Sequence, residues 1–66
     1  MRTTLKEARK EKKLTQKQVA AHIGMINEAY QKIEYGKRGT SEENWIKLYE
    51  LFDKEIPLHE LMKNMV

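Results

Sequence analysis

Three threonines, each followed three residues later by Glu or Gln, restrict this chain more than any other feature. Thr4-Leu5-Lys6-Glu7, Thr15-Gln16-Lys17-Gln18 and Thr40-Ser41-Glu42-Glu43 all have the form of a capping box. In such a box the hydroxyl and the acidic or amide side chain satisfy backbone N–H groups that a helix start leaves without partners. Each box precedes an apolar stripe of helical period. Three helix starts in 66 residues, with no period-two alternation and no Asn-Gly hairpin signal, leave no room for a sheet.

The stripes predict five helices. The first is basic and runs to about Lys13, with Leu5, Ala8 and Arg9 turned inward. The second spans about 15–23 and places Val19, Ala20 and Ile23 on one stripe with Gln16. Gly24 begins a turn over 24–26, where a residue tolerant of positive φ is needed. The third helix spans about 27–35, with Ile26, Ala29, Tyr30 and Ile33 at helical spacing. Gly36 and Gly39 then bracket a basic loop, Lys37-Arg38. Trp45, Ile46, Leu48, Tyr49 and Phe52 form the broad inner face expected of the fourth helix. After the polar break Asp53-Lys54-Glu55, Pro57 suits the first turn of a last helix whose stripe is Leu58, Leu61, Met62 and Met65. The expectation is one compact all-α domain over residues 1–66.

Composition excludes several function classes. No apolar run approaches the roughly 20 residues of a bilayer-spanning helix. The opening MRTTLKEARK has charges but no apolar stretch after them, so no secretory leader is expected. The absence of cysteine fits a reduced, cytoplasmic setting. His22 and His59 lie on different helices with no second ligand at metal-binding spacing, so no metal is expected. No nucleophile set, Gly-rich phosphate loop or paired-carboxylate pocket is present, which argues against an enzyme and against a cofactor. Charge is split along the chain: residues 1–40 carry 10 Lys and Arg against 4 Glu, and residues 41–66 carry 3 Lys against 6 Asp and Glu. A chain basic at one end and acidic at the other presents one face to a polyanion.

The segment LTQKQVAAHIGMINEAYQKIEYGKR, Leu14 to Arg38, resembles the helix-turn-helix of phage repressor and Cro proteins. The resemblance continues outside it, in the basic first helix and in the ending Pro-Leu-His-Glu-Leu. It implies a five-helix, lambda-repressor-like DNA-binding domain that acts as a transcription regulator. In that family the third helix enters the major groove, and the start of the second meets a phosphate. Carried onto matching positions, Ile26, Asn27, Glu28, Gln31 and Lys32 would contact bases. Gln16, Tyr35, Lys37 and Arg38 would contact phosphates. Arg9 and Glu34 would form a partly buried ion pair joining the first helix to the end of the third.

A single helix-turn-helix reads few bases and a 66-residue core is marginal, so a homodimer on a two-fold symmetric operator is expected. Trp45, Tyr49, Met62 and Met65 are the candidate dimer surface. A controller of a restriction-modification operon is a second expectation, and an antitoxin-like protein-interaction module a third. Three residues depart from the family's pattern. Lys13 stands where Gly is common, and Tyr30 where an aliphatic residue is usual. Ile26 stands where Ser or Thr often caps the third helix, which then starts uncapped or is capped by Asn27.

Overall fold

A computed structural model of the chain describes residues 1–64. Five helices follow one another: α1 (Thr3–Glu11), α2 (Gln16–His22), α3 (Asn27–Glu34), α4 (Glu42–Leu51) and α5 (Leu58–Met62), with no strand among the described residues. The fold is all-α.

The three capping boxes behave differently. The box at Thr15 forms: its Oγ1 accepts from the Gln18 N–H at 3.1 Å, and its own N–H donates to Gln18 Oε1 at 2.8 Å. The box at Thr4 does not form. Helix α1 starts at Thr3, two residues earlier than a Thr4 cap would place it, with Arg2 as an N-cap that makes no side-chain cap. Arg2 N–H donates to Glu34 O at 2.9 Å, and this tertiary bond draws Thr4 into the first turn, where its backbone is helical and cannot cap. At the third box the cap shifts to Ser41, whose hydroxyl accepts from Asn44 N–H at 3.2 Å, while Asn44 Nδ2 donates to Thr40 Oγ1 at 2.9 Å. Glu42 and Glu43 occupy the first turn of α4, where the helix dipole favours negative charge.

The core gathers one stripe from every helix. Leu5 and Ala8 of α1, Val19 and Ala20 of α2, Tyr30 and Ile33 of α3, Trp45 and Leu48 of α4, and Leu61 of α5 are buried together with Ile23 and Phe52. Ala20 lies where α2 and α3 pack together, and its small side chain permits close approach. Two expectations for α4 are corrected. Ile46 is 41% exposed and does not belong to the inner face. Trp45 is only 3% exposed, so its ring is core and not a free surface for a second subunit. Both follow from α4 lying with the Trp45, Leu48 and Phe52 line against the core, which turns Ile46 outward. Met65 lies outside the described residues.

Candidate nucleic-acid interface

Helix α3 is uncapped at its start. Ile26 is the N-cap with φ −78 and ψ 155, and its side chain makes no cap, so Asn27 is the first helical residue. Its inner side carries Tyr30, Ile33 and Glu34. Glu28, Lys32 and Tyr35 fall on the other side by helical spacing and are exposed, and Gln31 lies at its edge and is half-buried. Asn27, one turn before Tyr30 and two before Glu34, stands on the inner side and is half-buried. Ile26 is 70% exposed, the most of any large apolar side chain among the described residues. An isoleucine left in water at the start of a polar helix face suits an apolar contact such as a thymine methyl.

Orientation of that face depends on a buried charge cluster. Arg9 Nε donates to Glu34 Oε2 at 2.9 Å and its second terminal nitrogen to Glu34 Oε1 at 3.0 Å. The remaining terminal nitrogen donates to Leu14 O at 2.9 Å. Glu34 is fully buried, and its hydrogen bonds to Arg9 raise the guanidinium pKa further above its ordinary value, so Arg9 keeps its charge. Gln16, at the start of α2, joins the cluster by donating from Nε2 to Glu34 Oε1 at 3.3 Å. One side-chain cluster thereby ties together α1, the start of α2 and the end of α3. Gln16 keeps a second N–H for an anion in front of α2.

Two buried polar atoms, Asn27 Oδ1 and Tyr30 Oη, make no hydrogen bond of ordinary geometry, and the Tyr30 hydroxyl interacts with the Glu34 carboxylate. Burial pushes the Tyr30 phenol well above its ordinary value, and the neighbouring Glu34 carboxylate pushes the same way, so the phenol stays protonated. For Asn27, a carbonyl oxygen turned inward leaves the amide N–H₂ as the outward group. A bidentate contact with adenine needs both, and therefore needs a rotation of this side chain on binding.

Beyond α3, Gly36 adopts φ +79, and the exposed Lys37 and Arg38 follow. Arg2 and Asn64, which the sequence analysis left without a role, hold this loop. Asn64 Nδ2 donates to Gly36 O at 2.9 Å, and Arg2 donates to Arg38 O at 2.8 Å. Neither has a signature in periodicity or motif, because the partners are main-chain carbonyls 28 and 36 residues away. Of the candidate dimer residues, Tyr49 is half-buried against the core and Met62 is 44% exposed.

A helix-turn-helix family model matches residues 5–58. The chain belongs to the helix-turn-helix family of phage repressor and Cro type. It is accordingly a DNA-binding transcription regulator. No curated protein and no solved structure matches it significantly. Among the described residues no group of His, Cys, Asp and Glu is placed to hold a metal, and no helix is long and apolar enough to cross a membrane.

Proposed function

We propose that this helix-turn-helix protein is a cytoplasmic repressor, carried by a phage or another mobile element, that binds a two-fold symmetric operator as a homodimer and blocks a promoter by occupying it. The observation that carries the reading is the outer face of α3, polar apart from Ile26 and braced from behind by the Arg9–Glu34 pair. Ile26, Asn27, Glu28, Gln31 and Lys32 are the base-reading set. Glu28 opposes the negative potential of DNA and is tolerated where it accepts from a cytosine amino group, which narrows sequence preference. Gln16, Tyr35, Lys37 and Arg38 are the phosphate set, and their part in affinity is salt-dependent.

The dimer surface in this reading is the outer side of α4 and α5, around Ile46, Tyr49 and Met62, without Trp45. The exposed Ile46 and Met62 equally favour a protein partner, as an antitoxin-like module would require. Enrichment of a randomised duplex library at physiological salt separates the two. A symmetric consensus with half-sites about 34 Å apart supports the operator reader. Absence of enrichment, with binding that is only bulk and salt-sensitive, rejects it in favour of the protein-partner reading.

A further inference from the structure

Three main-chain carbonyls and an indole converge on the side chain of Arg2. Arg2 donates from one terminal nitrogen to Ile33 O at 2.6 Å and to Arg38 O at 2.8 Å, and from Nε to Met62 O at 3.0 Å. Its guanidinium carbon lies 5.2 Å from the centre of the Trp45 ring. Its own N–H adds a bond to Glu34 O. Ile33 and Glu34 form the last turn of α3, whose carbonyls are the negative end of the helix dipole and lack partners within the helix. A guanidinium there satisfies carbonyls and compensates the dipole together. The second link, to Arg38 O, fixes the loop that carries Lys37 and Arg38.

We propose that Arg2 is a positioning residue for DNA binding, which holds the Lys37–Arg38 loop in register with the outer face of α3. Its Nε and one terminal nitrogen are committed to carbonyls and its guanidinium carbon lies over Trp45, so it acts through the loop and not by touching phosphate. An ordered loop loses less conformational freedom on binding, and this raises affinity without a new contact. Lysine cannot replace it, because one ammonium has neither the planar fork nor the stacking surface. The proposal rests on the DNA-binding reading.

The test compares wild type with Arg2→Lys, which keeps the charge and an aliphatic stem over Trp45. Amide hydrogen exchange at Gly36 to Gly39 reads the loop, and titration of a selected operator duplex at several salt concentrations reads binding. Arg2→Lys is expected to remain folded, to exchange faster at these amides, and to bind on the order of ten-fold more weakly, with a salt slope smaller by about 1. Lys37→Ala is then expected to cost less in the Arg2→Lys background than in wild type. Unchanged exchange, or faster exchange with unchanged affinity and slope, overturns the proposal. A second arm needs no substitution: in wild type the Arg2 Nε–H resonance should stay in place when DNA is added while the Lys37 and Arg38 amides shift. A large shift of Arg2 instead makes it a direct contact and also overturns the proposal. If wild type binds no duplex at all, the DNA reading itself has failed, a result read before any variant is made.

Discussion

The α2–α3 unit and the frame around it end their helices with the same backbone geometry but with different residues at the turning point. Helix α2 closes through Met25 N–H to Ala20 O at 2.8 Å and Gly24 N–H to Ala21 O at 3.2 Å; α3 closes through Lys37 to Lys32 O at 2.8 Å and Gly36 to Ile33 O at 3.1 Å. In the frame, α1 closes through Leu14 to Arg9 O at 3.2 Å and Lys13 to Lys10 O at 2.9 Å, and α4 through Lys54 to Tyr49 O at 2.9 Å and Asp53 to Glu50 O at 3.0 Å. All four are Schellman motifs, which require a left-handed residue after the C-cap. The unit supplies Gly24 (φ 74) and Gly36 (φ 79), whereas the frame uses Lys13 (φ 59) and Asp53 (φ 60), followed by Lys54 (φ 59). A side chain in that region costs about 1–2 kcal/mol. One tertiary contact joins the two strained turns of the frame, between Lys12 and Asp53, and Arg9 adds a local bond to Leu14 O. The turns of the α2–α3 unit thus carry the residue their backbone favours, whereas those of the frame carry side chains at a conformational cost.

The largest break in this comparison is expected at the cluster joining the two regions. Glu34→Ala leaves Arg9 buried without its counter-ion and should destabilise the fold by about 3–5 kcal/mol in urea unfolding. A loss below about 1 kcal/mol would show that the two regions do not depend on each other. Next comes Gly36→Ala, where a Cβ would meet both a positive φ and the Asn64 side chain, against Gly24→Ala, which has open space and only the φ penalty. Thermal unfolding should rank Gly36→Ala as the costlier, at roughly 2 kcal/mol against about 1. Lys13→Gly should act in the opposite direction and stabilise by about 1 kcal/mol, since it relieves strain that the glycines of the unit never carry. Smallest is the threonine pair: Thr15→Ala should cost about 1 kcal/mol and Thr4→Ala less than about 0.5, because only Thr15 caps. Equal losses would mean that Thr4 caps α1 after all.

Tyr30 supplies a pH test of the same boundary. Its phenol is held above the ordinary value of 10.0 in the folded chain, so above that pH the unfolded chain gives up a proton that the folded chain retains. Its contribution to stability is complete below pH 10.0 and falls as pH rises beyond it. Tyr30→Phe should remove that part of the alkaline loss together with the buried hydroxyl, at a cost of about 1 kcal/mol or less at neutral pH. An alkaline limb identical in both proteins would show that the phenol titrates normally.

Much of this was legible before any coordinates. Helical period, the threonine boxes and the glycines at 24 and 36 act within four or five residues, and such short-range chemistry is written in order along the chain. The same holds for the polar outer face of α3, since the positions opposite Tyr30 and Ile33 follow from 3.6 residues per turn. What the chain by itself determined is therefore an all-α fold with a helix-turn-helix at its centre and the residues α3 turns outward. Only the tertiary structure decided which threonine caps, that Ile46 faces water while Trp45 has no surface left for a second subunit, and that Arg2 closes the end of α3. Each of those outcomes turns on a contact between residues far apart in sequence. A bond such as Arg2 to Glu34 O is made with a main-chain carbonyl, a group every residue carries, so no side-chain pattern can announce it.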